Sequence, residues 1–159
     1  MTDRLSTLTS EFMAGQRDEA LRVAAGERPV VFFDGQCNLC NGFVDFVVRH
    51  DREARFAFAP LQGVLASHLT VQRDPVDDDR LSTILLFDGR RVYRRSEAVL
   101  RVFLILPGWP RAFGRIGFLF PRRVRNMAYA IVARHRYAWF GKRNNCRLPT
   151  PQERDRFLP

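Results

Sequence analysis

Two cysteines stand two residues apart in "PVVFFDGQCNLCNGFVDFVVRH", residues 29–50, where an apolar run gives way to an amphipathic one. Cys37 and Cys40 are compatible with three roles: a redox pair, metal ligands, or small core residues. A cysteine at a helix N-terminus is stabilised as a thiolate, which is the nucleophile of thiol–disulfide exchange. A second thiol one turn later can resolve the mixed disulfide. We therefore predict that Cys37 is the exposed attacking thiol and Cys40 the more buried resolving thiol.

The carboxylate nearest in sequence to this pair belongs to Asp34, which ends the apolar run three residues before Cys37. A carboxylate beside a buried thiol can take up its proton and return it to a leaving thiolate. It can equally raise the thiol pKa by charge repulsion. A plain turn residue before Gly35 is a third interpretation, because Asp-Gly is a common turn sequence.

A zinc site at the cysteine pair would need two further ligands. The remaining His and Cys residues of the chain are His50, His68, His135 and Cys146. No two of them stand at the short spacing that is typical of paired zinc ligands. The spacing therefore favours a redox pair over a metal site. Three cysteines are also too few for a disulfide framework. We interpret Cys146 as a structural or incidental cysteine rather than as a second resolving thiol.

The elements that position the pair follow from the apolar periodicity. Residues 29–33 predict a buried strand, and apolar residues at helical spacing predict a helix over residues 38–50. Residues 55–59, with Phe56 and Phe58 on one face, predict a second strand, parallel to the first because a helix connects them. Pro60 is expected to end this strand.

The following segments predict the rest of an α/β domain. "LQGVLASHL" can form a helix, "DPVDDDR" is an acidic loop, and "STILLF" and "RRVYR" form a hairpin that turns at Asp88-Gly89. A helix then runs from Ser96, its expected N-cap, to about Leu106. The order β-α-β-α-β-β-α is that of a thioredoxin-like domain with the CxxC pair opening its first helix.

Three segments are expected along the chain: an extension over residues 1–28, a thioredoxin-like core over residues 29–106, and a basic helical C-terminal region over residues 107–159 packed on the core. Residues 111–159 carry 11 Arg and one Lys against two acidic residues, a net charge of +10. Two interpretations are open for this region. Either it binds an anionic partner, such as a membrane surface or RNA, or its charged side chains form a solvated face without a partner.

We favour the solvated face, with aromatic side chains packing on the core and arginines facing outward. In this region a helix is expected over "RRVRNMAYAIVARHRYAWFG", ended by Gly141. Its apolar stripe recurs at steps of three or four residues: Val124, Met127, Ala128, Ile131, His135 and Trp139.

The N-terminus has no apolar stretch typical of a secretory signal, so a cytoplasmic location is expected.

The stretch "FFDGQCNLCN" resembles the signature of the DCC thiol-disulfide oxidoreductase family, also called DUF393. The family is named for Asp-x-x-Cys-x-x-Cys, here Asp34, Cys37 and Cys40. The similarity covers nearly all of residues 30–158 and continues through "FAFAPLQG", "STILLFDG", "YRRSEAVLRVF" and "PRRVRNMAYAIVARHRYAWFGKRNNCRLP". The resemblance implies a thioredoxin-like fold and makes those three residues the catalytic ones. His135 departs from the Asn that members often carry there.

The sequence thus predicts a thiol–disulfide oxidoreductase with no bound cofactor and no metal. Its partners would be protein or small-molecule thiols and disulfides, with an external thiol or reductase renewing the pair, and no DNA is expected. The alternative is a non-catalytic thioredoxin-like adaptor whose basic C-terminal helices contact protein, a membrane surface or RNA.

Overall fold

A computed structural model describes residues 26–63, 65–66, 84–142 and 149–158. The strands and helices in these ranges are β1 (Val30–Phe33), α1 (Asn38–His50), β2 (Ala57–Pro60), β3 (Ile84–Phe87), β4 (Val92–Arg94), α2 (Arg95–Ile105), α3 (Trp109–Leu119) and α4 (Arg122–Phe140), with a 3-10 turn at Arg154–Arg156. The expected N-terminal extension lies mostly outside the described ranges, and the acidic loop, His68 and Cys146 lie wholly outside them. Of the helix predicted within residues 61–69, residues 61–63 form a turn, residues 65–66 are helical, and the other residues lie outside the described ranges.

The four strands form one mixed sheet in the order β2-β1-β3-β4. Strand β1 pairs in parallel with β2 and antiparallel with β3, and β4 completes the hairpin with β3. The predicted β-α-β unit and hairpin are therefore confirmed, and the fold is thioredoxin-like. Pro60 is the last residue of β2 rather than its stop, which an edge strand tolerates because no further strand needs its missing N–H.

Side chains alternate along the strands, so the sheet has two faces, and apolar side chains are buried on both of them. Val31 and Phe33 of β1 face helices α1 and α2, and pack with Val44 and Val102 in the larger apolar cluster. The opposite face of β1 contributes to a smaller cluster that includes Phe87. The larger cluster also contains Cys40, so the cysteine pair lies at the edge of the main core.

Helix α2 begins differently from the prediction. Its N-cap is Arg94, whose side chain makes no capping hydrogen bond, because β4 runs into the helix without a loop. Ser96 therefore lies inside the first turn, and its Oγ donates a hydrogen bond to Oδ1 of Asn126 at 2.5 Å. The hydroxyl thus fastens α4 to α2 instead of capping α2.

Helix α4 contacts the core through a different face from the one predicted. Ala133 is its only buried residue, while Val124, Met127, Ile131 and Trp139 of the predicted apolar stripe are exposed. The packing of this stripe on the core is therefore not observed. Polar contacts hold the helix instead: besides the bond between Ser96 and Asn126, the Tyr129 hydroxyl accepts a hydrogen bond from the backbone N–H of Ile84 at 3.2 Å.

The C-terminal segment contacts the residue that follows the C-terminal end of α1. Arg156 is buried and forms an ion pair with the buried carboxylate of Asp51, which follows α1. Its Nε also donates a hydrogen bond to the Phe56 carbonyl at 3.2 Å. The neighbouring ring of Phe157 stacks on Phe58, with ring centroids 5.2 Å apart. This segment therefore fixes the turn from α1 into β2.

None of the helices that the structure describes is long and apolar enough to cross a lipid bilayer.

Candidate active site

The turn between β1 and α1 is held by hydrogen bonds on both sides of Cys37. The Cys37 backbone N–H donates to the Asp34 carbonyl at 3.1 Å, which closes the turn through Gly35. The buried side chain of Asn41 donates to the carbonyl oxygens of Gly35 and Cys37, at 2.9 and 2.8 Å. Cys37 is thereby fixed as the N-cap of α1, as the sequence predicted.

The Cys37 sulfur occupies the place where the first turn of α1 has unpaired N–H groups. Its Sγ accepts a hydrogen bond from the backbone N–H of Cys40 at 3.4 Å, and both cysteines are thiols rather than a disulfide. A hydrogen bond from the Cys40 side chain is the largest cause that lowers the pKa of Cys37 to about 6. Burial acts against it, and the N–H groups of Cys40 and Leu39 lower the pKa further. Cys37 is thus mostly a thiolate at neutral pH.

The predicted difference in exposure between the two cysteines is absent. Cys37 is 0% exposed and Cys40 is 2% exposed. The segment after α4 lies against the pair: Lys142 forms an antiparallel β-bridge with Cys37, and Nδ2 of Asn38 donates to the carbonyl of Phe140 at 2.8 Å. This segment therefore covers Cys37, and a reagent can reach the Cys37 sulfur only when the cover moves.

The hydrogen bond between Asn38 and Phe140 can be tested with Asn38→Ala. The change removes the hydrogen bond to Phe140, worth about 1 kcal/mol, and should open the segment more often. We expect alkylation of Cys37 to become roughly fivefold faster at about pH 8.5, where the thiolate fraction no longer limits the rate. Site-resolved alkylation followed by mass spectrometry measures this rate, with the urea-unfolded proteins as controls. Equal rates in the folded proteins would mean that this bond does not control access.

Asp34 is held as a carboxylate by four donors. Its Oδ1 accepts hydrogen bonds from Nε2 of Gln62 at 2.8 Å and from the backbone N–H of Gln36 at 3.0 Å. Its Oδ2 accepts one from the Tyr137 hydroxyl at 2.5 Å and lies 3.5 Å from Nη2 of Arg136. Burial raises the pKa of Asp34, but these donors outweigh it and hold the pKa below the ordinary value of 3.8. A carboxylate so stabilised is a poor acceptor for a thiol proton.

The charge of Asp34 acts on Cys37 by repulsion, because the carboxylate disfavours a thiolate beside it and so raises the pKa of Cys37. Asp34→Asn should therefore lower the pKa of Cys37 below about 6, because the repulsion disappears while the side-chain shape is kept. The pH dependence of Cys37 alkylation should shift to lower pH, and thermal melting checks that the variant is folded. An unchanged midpoint together with slower exchange would instead support proton relay.

Tyr137 and Arg136 are among the site residues that sequence reasoning missed, as are Gln62 and Asn41. Tyr137 and Arg136 come from α4, about a hundred residues after Asp34, and both contact its carboxylate. Burial and the bond to Asp34 raise the pKa of Tyr137, so its hydroxyl stays protonated and donates. The element "RYAWFG" that contains Tyr137 was part of the family resemblance, but nothing in its spacing indicated a contact with the CxxC turn.

Neither histidine that the structure describes is placed to complete a metal site at the cysteines. Nδ1 of His50 donates a hydrogen bond to the Phe46 carbonyl at 2.8 Å, and the ring of His135 stacks on Trp139. Within the described ranges, no three His, Cys, Asp or Glu side chains converge in a way that could hold a metal ion.

A thioredoxin-like sheet with a CxxC pair at the start of its first helix, and a lowered thiol pKa there, defines a protein of the thioredoxin-like dithiol class. The chain belongs to the DCC1-like thiol-disulfide oxidoreductase family, whose model matches residues 31–142. This range includes the CxxC turn, all of the sheet except Val30, and the α4 residues that hold Asp34.

Two relatives span most of the chain. The Bacillus subtilis protein YuxK, which is named as uncharacterised, is 39% identical over 130 residues, covering 82% of this chain and 93% of its own. A chloroplastic DCC family protein of Arabidopsis thaliana is 39% identical over 127 residues, covering 77% of this chain and 70% of its own. No solved structure matches the chain.

Proposed function

We propose that the protein is a thiol–disulfide oxidoreductase in which Cys37 is the nucleophile and Cys40 the resolving thiol. The observation that carries the proposal is the position of the Cys37 sulfur at the N-cap of α1, where it accepts a hydrogen bond from the Cys40 N–H and its pKa is lowered to about 6. With that pKa, the thiolate outnumbers the thiol by about tenfold at pH 7. The membership of a family named for this activity supports the same conclusion.

In the direction that reduces a substrate disulfide, the exchange proceeds in two displacement steps, each of which is reversible. The Cys37 thiolate attacks one sulfur of a substrate disulfide, forms a mixed disulfide, and releases the other substrate sulfur as a thiolate, which takes the proton of Cys40. The Cys40 thiolate then attacks the Cys37 sulfur and releases the second substrate sulfur. The substrate gains two electrons, and Cys37 and Cys40 become a disulfide. An external thiol or a reductase partner returns the pair to the dithiol.

The lowered pKa also bears on the direction of electron flow. Stabilising the Cys37 thiolate stabilises the reduced pair, and a pair whose reduced form is stabilised has a higher reduction potential. We therefore expect this pair to accept electrons from substrate thiols more readily than a pair with ordinary thiol pKa values. Asp34 moderates this tendency, because its charge raises the pKa of Cys37.

The proposal is tested by equilibrating the protein in buffers of reduced and oxidised glutathione and counting thiols by mass after alkylation. We expect a reversible two-electron transition that involves Cys37 and Cys40 together. The same transition should persist in Cys146→Ser, which leaves the pair as the sole cysteines of the chain. A pair that remains reduced in every buffer would refute the proposal and favour the adaptor alternative.

A further inference from the structure

The exposed large apolar side chains of the described chain all lie in one part of it, helices α3 and α4 with the turn between them, which we call the α3–α4 hairpin. They are Trp109, Phe113, Ile116, Leu119, Phe120, Val124, Met127, Ile131, Val132, Tyr137, Trp139 and Phe140. Scattered exposed apolar residues are normal on a protein surface, but a contiguous group of this size marks an interaction site.

The two helices leave these side chains outside because they contact the core through other faces. Helix α3 packs on α2 through glycines: a Cβ at Gly114 would lie 3.1 Å from the Leu100 carbonyl, and one at Gly117 would lie 2.4 Å from a Leu100 methyl. Helix α4 uses its polar face and Ala133, as described above. The apolar side chains of the hairpin therefore stay exposed, and some of them, such as Phe113 and Ile116, line a recess between the hairpin and the core.

The charge of the hairpin restricts what can cover it. Residues 109–140 contain seven arginines and no acidic residue. Arg115, Arg122 and Arg123 are exposed around the turn. Leu119, at the end of α3, is 82% exposed between them. An apolar tip flanked by arginines is typical of helices that lie in the interface of an anionic membrane.

We propose that the α3–α4 hairpin docks on the surface of an anionic lipid bilayer, with its apolar stripes among the acyl chains and its arginines among the head groups. A second copy of the chain is disfavoured as the occupant, because two such surfaces would place only positive charges against each other. RNA is disfavoured because aliphatic side chains such as Leu119 and Ile131 contribute nothing to base stacking.

An apolar cavity beside the hairpin adds to the argument for lipid. The cavity, of about 620 Å³, is bounded by exposed hairpin side chains such as Phe113 and Val124 and reaches Cys40. Its wall is apolar apart from a few side chains, among them Arg125. Such a recess suits acyl chains better than a nucleic acid. The docking proposal does not depend on whether the cysteine pair is catalytic.

The test mixes the full chain with vesicles of phosphatidylcholine containing phosphatidylglycerol, and with vesicles of phosphatidylcholine alone. The two tryptophans of the chain, Trp109 and Trp139, both lie on the hairpin and are 62% and 58% exposed, so their fluorescence reports on insertion. We expect co-sedimentation and a blue-shifted emission with the anionic vesicles, both weakened by salt. Neither effect should occur with phosphatidylcholine alone.

Matched variants locate the binding surface. Replacing Arg122 and Arg123 by Gln should weaken partitioning about 30-fold, from roughly 1 kcal/mol for each arginine near the surface. Leu119→Ser should weaken it at least about tenfold through lost apolar burial. The double change Arg52→Gln with Arg90→Gln removes the same charge away from the hairpin and should leave partitioning within about threefold. Circular dichroism and thermal melting check that every variant is folded.

Four results would overturn the proposal. They are no binding to the anionic vesicles, equal binding to both kinds of vesicle, tryptophans already shielded from a soluble quencher in the lipid-free protein, and binding to a single-stranded RNA oligonucleotide in place of vesicles. The third result would mean that another part of the chain or a second copy covers the hairpin. None of these results bears on the exchange activity, so the two proposals can fail separately.

Discussion

Replacing Cys37 with Ser should reduce thiol–disulfide exchange by about a thousandfold or more, because the variant loses the only thiolate at the start of α1. Cys37 and Cys40 are not equivalent in the structure, since Cys37 is the N-cap and receives the hydrogen bonds. The rate is measured as reduction of a model disulfide with an excess of an external thiol. An adaptor would keep its binding properties in this variant, because Ser preserves the cap hydrogen bond.

Cys40→Ser should behave differently, because the first displacement can still occur while the second cannot. We expect a stable mixed disulfide between Cys37 and the substrate, detected as an adduct by intact-protein mass spectrometry. Cys146→Ser serves as the control, with full turnover and no adduct. An adduct that forms equally well at Cys40 in Cys37→Ser would show that the roles of the two cysteines are reversed.

Arg156→Met is expected to be the most destabilising change away from the cysteines, lowering the free energy of unfolding by about 3–5 kcal/mol. The carboxylate of Asp51 is buried, and Arg156 is its charged partner. Asp51 would keep the N–H groups of Arg55 and Phe56 as donors, at 3.0 and 3.1 Å, but would lose its counter-charge. A buried charge without its partner costs more than the lost packing, which Met largely preserves.

The adjacent control is Arg154→Met. Arg154 lies in the same 3-10 turn and is exposed, so its replacement should change stability by less than about 0.5 kcal/mol. Urea unfolding of both variants and the parent protein gives the comparison. If the two variants are equally stable, the Arg156–Asp51 pair contributes nothing net, and other contacts hold the C-terminal segment, such as Phe157 packing and the hydrogen bond from the Leu158 N–H to the Phe58 carbonyl.

The local elements around the cysteines could be predicted from the sequence because their signals are local. Helix α1 spans the predicted residues 38–50, since its apolar spacing and the preceding Asp34-Gly35 turn lie within a few residues of each other. The parallel pairing of β1 with β2 follows from the helical connection between them. The catalytic roles of Asp34, Cys37 and Cys40 remain predictions.

The features that were missed depend on contacts between distant parts of the chain. The bond between Tyr137 and Asp34 joins residues 103 positions apart, and no spacing rule indicates it. The burial of Cys37 depends on Lys142 in the same way. The apolar stripe of α4 was recognised, but periodicity alone does not say whether a stripe faces a core or a partner.

The most direct test of the central claim is the pKa of Cys37, measured from the pH dependence of its alkylation with site-resolved mass spectrometry. The structure predicts a midpoint near pH 6, with Cys37 reacting as a thiolate through the neutral range. A midpoint near 9.0, the ordinary pKa of a cysteine thiol, would contradict the account, because a thiol with an unshifted pKa has gained nothing from its place at the start of α1.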